Sequence, residues 1–485
     1  MNVIDRVMGY FAPGAALARA RSRAALGHLA RYDAATSGNR GKSWKPVASD
    51  ADTAGAQRTR LAFIARDMVR NTPLATRAQQ VISNNVVGDG ITPKVVSGSA
   101  EAARALLSVI EQHADTVAID ADGRCNLYGL QRMVINTVVE AGEVLVRRRR
   151  RLPSDGFALP FQLQVMEPDF LDGSRDGFLP GGNEIRGGIE FDAIGRRVAY
   201  YILQDHPGGS YRRGLRSESS RVPASEILHI FRQDRPGQSR GVSWFAPIAL
   251  SLQDLADFQD AQLMRQKIAA CFAAFRVAPD GDGTGDDPAG LSESIIPGRI
   301  QNLAPGEDIR FADPPGVNGY DEFTRSVLRS VAAGLGITYE ALSGDLSNVN
   351  FSSARMGRME MDRCMSAVQW LMMIPQFLQP VGQWIIEDWR LINRTRETVR
   401  IDWTPPHRVM IDPTREIAAL TSKVRSGFAS RSSVIQELGY DPQRVMEDIT
   451  RDAANADALN LVFDSDARTV SAAGVAQAVD QGEQK

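Results

Sequence analysis

Few residue groupings in this chain could do covalent chemistry, and each fails on spacing. Gly38-Asn39-Arg40-Gly41-Lys42-Ser43 ends like a phosphate-binding loop. The first glycine of that pattern would fall at Thr36, and Pro46 stands where the following helix should run. Gly241-Val242-Ser243-Trp244-Phe245 approaches a nucleophile elbow, yet Phe245 occupies the place of its last glycine. Asp254, Asp257 and Asp260 recur at three-residue spacing on one helical face and could offer carboxylates to a divalent metal. No histidine or second carboxylate motif accompanies them, so a solvated helix face is the competing reading. The histidines (28, 113, 206, 229, 407) and the cysteines (125, 271, 364) stand apart, in no zinc spacing and no disulfide framework. Enzyme chemistry is therefore disfavoured, and no cofactor or metal is called for.

What remains is recognition by charge. The net charge is −2 over 485 residues, so the chain is not a generic polycation, and any nucleic-acid contact needs locally placed charge. Phosphate contacts need only positioned cations and polar amides. The stretch SGDLSNVNFSSARMGR supplies Asn348, Asn350, Ser352, Ser353, Arg355 and Arg358 on a loop that enters a helix, where backbone amides also attract phosphate. The competing reading is a surface loop with a serine cap. Arg265, Lys267 and Arg276 lie in the second half of a long helical pattern whose first half holds the three aspartates, an order that suits the helix dipole. Arg147 to Arg151 form a basic run at a strand end, readable as a solvated hairpin tip or as a DNA contact.

The elements that must position these residues can be read from periodicity. Residues 1–55 read as an arm, with Arg19, Arg21 and Arg23 among alanines; a helix packing on a neighbour or one lying on a membrane surface would both suit that composition. The stretch Met365 to Ile386 is long and apolar, but its four glutamines and two prolines favour a helix buried in protein over a span in lipid. A helix runs from Gln57 to the Asn71-Thr72-Pro73 break, and another follows. Helices are expected over 101–114 and 127–141, the second capped by Asn126. Alternating stretches then mark strands, including EVLVRRR, FQLQVMEP, IRGGIEFD, AYYILQD and EILHIF. From Pro247 a rod of about 30 residues, roughly 45 Å, leads into the acidic loop 280–287 and a small β module. A second helix, the polar loop and a long helix from Ser353 toward Trp389 come next. A strand VRIDWTPP, helices opening at Asp412-Pro413 and Asp441-Pro442, and a polar tail end the chain.

Several stretches resemble, in order, the lambda-type phage portal proteins: RDMVRNTPLATRAQQVISNNVVGDGITPK (66–94), AGEVLVRR (141–148), LQVMEPDFLD (163–172), ILHIFRQDRPGQSRGVSWFAP (227–247) and YEALSGDLSNVNFSSARMGRMEMDR (339–363). The resemblance covers about 40–465. It implies an α+β portal fold: an N-terminal arm (1–55), an α/β wing (56–246), a stem helix (247–277), a small β-containing clip (278–320), a second stem helix (321–342), a tunnel loop (343–353), a long helix and strand returning to the wing (354–409), a helical crown (410–465) and a disordered tail (466–485). It further implies a ring homo-oligomer, usually a dodecamer, at a capsid vertex of the virion, assembled in the host cytoplasm. That ring would pass double-stranded DNA non-specifically and dock the terminase large subunit, a head–tail connector protein and the major capsid protein, with no membrane partner. Asn348, Asn350, Ser352, Arg355 and Arg358 would line the channel, and Arg265, Lys267 and Arg276 would face it from the stem. A near-neutral chain with an acidic loop suggests walls along which DNA slides rather than sticks. The alternative is a phage-derived, metal-dependent DNA-processing enzyme built on Asp254, Asp257 and Asp260.

Overall fold

Thr72 precedes a proline and is held extended (φ −111°, ψ 111°), which splits what would be one helix into α1 (Gly55–Asn71) and α2 (Pro73–Val86). The strand β1 (Thr92–Ser97) and two capped helices follow. Ser99 accepts from the Ala102 amide at the start of α3 (Ala100–His113), and Asn126 accepts from Gly129 at the start of α4 (Leu127–Ala141). Gly142 ends α4 at φ +93°, and a Cβ there would lie 2.3 Å from the Val242 carbonyl carbon. Both the left-handed backbone and the close approach require glycine. This computed structural model describes residues 50–52, 55–209, 218–271, 275–277, 308–310, 319–406, 412–440, 442–461 and 463. The chain divides into the units Met1–Thr53 and Ala54–Lys485, and all the described helices and strands lie in the second. The expected arm up to residue 49, the acidic loop 280–287, most of 278–320 and the tail 466–485 lie outside the described residues.

Strand β2 (Glu143–Arg150) sits between β3 (Phe161–Met166) and β9 (Ile227–Phe231), antiparallel to both. Side chains alternate across it. Val144 and Val146 join the helical core with Phe161, Leu163 and Ile230, while Leu145 joins a second core with Met166, Tyr200 and Val222. That second core lies against an antiparallel five-stranded sheet: β4 (Gly177–Phe178), β5 (Glu184–Arg186), β6 (Ile189–Phe191), β7 (Arg197–Leu203) and β8 (Ser219–Pro223), in that order. The three-stranded sheet thus has helices on one face and a second sheet on the other. The mixture of helices and sheets agrees with the α+β class expected.

Two helices then pair. In α5 (Ala249–Cys271), Phe258 stacks on Tyr320 and packs against Phe323 of α6 (Tyr320–Leu335), with ring centroids 5.7 and 4.6 Å away. Between them, β10 (Phe275–Val277) and β11 (Asp308–Arg310) form an antiparallel pair, so the chain returns beside the point where it left. The helix expected to reach 277 is described only to Cys271. Arg276 lies on β10 opposite Ile309, because the FRV run of aromatic and β-branched residues favours the extended chain.

After the short α7 (Tyr339–Ser343), helix continues without a break through α8 (Phe351–Val368), a π-helical run Gln369–Leu378, and α9 (Gln379–Asn393). Pro375 and Pro380 each remove an amide donor and crowd the preceding turn, and the wider π turns relieve that crowding. One side of this apolar stretch is buried in protein: the Gln369 amide donates to the Val86 carbonyl at 2.8 Å, and the Gln376 side chain accepts from Phe231 N at 3.0 Å, while Trp370 and Leu371 stand exposed. Among the described residues no helix is long and apolar enough to cross a membrane. Strand β12 (Val399–Thr404) closes on β1 from Thr92↔Thr404 to Ser97↔Val399. Three helices end the described chain: α10 (Pro413–Arg425), capped by Asp412; α11 (Arg431–Glu437), capped by Ser430; and α12 (Pro442–Ala458).

Candidate functional site

The polar loop between α7 and α8 is built by short-range hydrogen bonds. Thr338 caps α7 by accepting from Ala341 N, and Gly344 ends it at φ +74°. Asp345 then gathers the turn: its carboxylate accepts from Ser347 Oγ at 2.6 Å, Ser347 N at 3.0 Å and Tyr339 Oη at 3.1 Å. These donors, the Ser347 hydroxyl foremost, hold its carboxyl below the usual range. At the far end Asn350, not a serine, is the N-cap. Its Oδ1 accepts from Ser353 N at 2.8 Å, and Ser353 Oγ accepts in return from Asn350 N at 3.2 Å.

The loop and first turn of α8 therefore present Asn348, Ser352 and Arg355 to solvent, and among the described residues none of the three has a hydrogen-bond or ion-pair partner. Asn350 is exposed, but its side-chain oxygen is committed to the cap. Arg358 is set apart from these three. One turn along α8 it faces back, pairs with Asp362 at 3.5 Å, and lines a cleft of about 460 Å³ with Asn84, Gly90, Pro406 and Tyr440. The helical period places it about 60° off Arg355, toward the α2 side. On α5, Arg265 is half-buried and Lys267 exposed. Arg276 is not on that helix but on β10.

Asp254, Asp257 and Asp260 are exposed on α5, and Gln253 Nε2 donates to Asp257 at 2.9 Å. Among the described residues they do not converge with any other potential ligand. Those that do converge are Glu167, Asp169 and His206, whose ligand atoms lie within 4.8 Å of one another. Arg66 is already there: its guanidinium bonds Asp169 and lies 3.2 Å from Glu167. A guanidinium thus neutralises the carboxylates that a cation would otherwise need.

Two ionic groups escaped the sequence reading. Glu143 is buried at the start of β2 and accepts from Gly241 N (2.8 Å), Arg240 Nε (2.8 Å) and His229 Nε2 (2.9 Å). Burial pushes its carboxyl up, but Arg240 and His229 outweigh that and hold it well below the usual range. This network ties β2 to β9 and to the loop before α5. The second group is Arg148, expected in a solvated basic run. It is 5% exposed, lies 2.8 Å from Asp388, and stacks over Phe161 and Trp384 at 5.1 and 5.3 Å. Strand alternation turns it inward with Val144 and Val146. An acid opening an apolar strand was the available signal for Glu143; nothing local marked Arg148.

An α+β protein with two hydrophobic cores, a helix pair and a polar loop that opens a long helix is the class these features define. Residues 37–369, more than half of the chain, match the family described as phage portal protein, lambda family, and the chain belongs to that family. It is 28% identical over 418 residues to a probable portal protein of Halomonas phage phiHAP-1, covering 80% of this chain and 79% of that one. It is 22% identical over 503 residues to portal protein B of Escherichia phage lambda, covering 91% and 92%. Among solved structures it is similar to the neck of a native gene transfer agent particle computed with C12 symmetry: 15% identity, 82% of this chain and 96% of that one, TM-score 0.49. The chain is a portal protein of the tailed-phage type, and the family is structural rather than enzymatic.

Proposed function

We propose that the chain assembles into a closed ring at one capsid vertex, through which double-stranded DNA enters during packaging and leaves during ejection. Within it, 56–246 would be the wing, 247–277 and 321–342 the stem, 278–320 the clip, 343–353 the tunnel loop, 354–409 the return to the wing, and 410–465 the crown. Asn348, Asn350, Ser352 and Arg355 would face the channel, with Arg265 and Lys267 along the stem. Terminase large subunit, a head–tail connector and the major capsid protein would be its docking partners. The subunit number is twelve in this proposal.

The observation that carries the reading is the α5/α6 pair. Phe258, Tyr320 and Phe323 hold the two helices to each other, yet Leu250, Leu263 and Met264 of the same helix α5 are 80, 50 and 58% exposed. Water-exposed apolar residues along one rod fit lateral contact with the next copy. The loop and the first turns of α8 offer amides and one arginine, Arg355, enough for weak, sequence-independent contact with passing phosphate. Negative-stain microscopy with sedimentation of the purified chain is the test. Particles with radial subunits and a central hole are expected; a monomer under all conditions overturns the proposal.

A further inference from the structure

Strand β2 carries arginines on both faces, and only one face is satisfied. Arg148 points to the helical side and is paired. Arg147 and Arg149 point to the other side, beyond Leu145, where the second core ends. They line the floor of a cleft of about 350 Å³ whose far wall is β8, the outermost strand of the five-stranded sheet. Arg150, Arg151 and Arg221 line the same cleft, with Glu226 as its single acid. Arg150 pairs with Glu226 at 2.9 Å, Arg221 with Glu190 at 2.7 Å, and Arg151 Nε donates to Gln162 at 2.7 Å. Arg147 and Arg149 have no hydrogen-bond or ion-pair partner among the described residues. Burial first, and then Arg149, disfavours the charge of Arg147, and Glu226 offsets this only in part. Two like charges on residues whose backbones lie about 6.6 Å apart along a strand, half-buried and without a direct counter-ion, are unfavourable in the isolated chain unless an anion joins them.

We propose that this cleft binds the phosphodiester backbone of duplex DNA, at a site separate from the polar loop 343–353. Guanidinium forks match phosphate oxygens in pairs, and adjacent phosphates can be bridged by arginines alternating on one strand face. The occupant is a phosphate polyanion rather than an acidic peptide. The lining gives a peptide only Val222 and Pro223 as apolar anchors, whereas a backbone needs none. No base edge is read, so binding is independent of sequence. That the polyanion is DNA rests on the portal reading.

The test uses assembled rings of the full chain and a covalently closed duplex minicircle, which cannot thread a closed channel. Binding is followed by fluorescence anisotropy against salt. Arg147→Gln with Arg149→Gln should weaken binding on the order of tenfold at 0.1 M salt and lower the log–log salt slope by about 1.8 per cleft engaged. Arg147→Lys with Arg149→Lys keeps the charge and should keep the slope, which guards against a merely misfolded glutamine variant. Rings that bind the minicircle with unchanged affinity and slope in the glutamine variant overturn this site while leaving the portal reading intact. Rings that lose polyglutamate binding but not minicircle binding also overturn it, in favour of an acidic peptide. Absence of rings in the parent chain overturns the proposed ring and channel instead. A linear duplex should bind no more tightly than the circle if the channel wall lets DNA slide.

Discussion

His113 is a pH liability whose size is set by its surroundings. It ends α3 fully buried, between the rings of Phe157 and Phe161 at 6.4 and 5.4 Å. Burial pushes its imidazole from the ordinary 6.5 down to about 4. A base whose folded value is depressed binds a proton more readily when unfolded. The unfolded state is therefore favoured as pH falls below about 6.5, and the penalty is complete only below about 4. A shift of that size corresponds to about 3 kcal/mol in all, of which about 2 kcal/mol is lost between pH 7 and pH 5. His113→Phe removes the titration while keeping a flat ring in the same slot. Guanidinium unfolding followed by tryptophan fluorescence at pH 7 and pH 5 reads the difference. The variant should lose about 2 kcal/mol less than the parent over that interval, whatever its stability at pH 7. The buried His229 is depressed too and adds loss of the same sign, but it is common to both chains and cancels. Equal acid sensitivity in the two chains would refute the assignment to His113.

Two further substitutions separate packing from display. Arg148→Met leaves Asp388 buried beside an apolar side chain and should cost about 3–5 kcal/mol, seen as a lowered melting temperature; Arg148→Met combined with Asp388→Leu removes both charges and should recover most of that loss. Asn350→Ala removes the cap of α8 at a cost of about 1 kcal/mol, so amide exchange over 350–353 should quicken about fivefold, and Asn350→Ser should reverse most of it.

Local chemistry made much of the fold legible. Thr72-Pro73 broke a helix where the pre-proline restriction requires, Asn126 capped α4, and the alternation in FQLQVM marked a strand that forms. Three outcomes could not be read locally. Arg147 to Arg151 look alike in sequence, yet a two-residue period sends Arg148 to carboxylates on α9 and Arg147 and Arg149 to the opposite cleft. Arg358 belonged by sequence to the polar loop, but one helical turn carried it to Asp362. The rod after Pro247 was read too long because FRV continues its apolar pattern, and only pairing with the remote Asp308–Arg310 shows it to be strand. Of the loop itself, Asn348, Ser352 and Arg355 stand exposed, while Asn350 spends its oxygen on the cap expected of a serine.

The ladder between β1 and β12 sets a clock on synthesis. Thr92 pairs with Thr404, a partner made about 300 residues later. At translation rates of about 5–20 residues per second the wait is roughly 15–60 s. Through that interval β1 lacks its ladder partner, while α5, α6 and everything between them emerge. A nascent chain in this state offers a strand-shaped vacancy to any neighbouring copy on the same message. The last strand is thus also the step that makes each subunit safe to meet another.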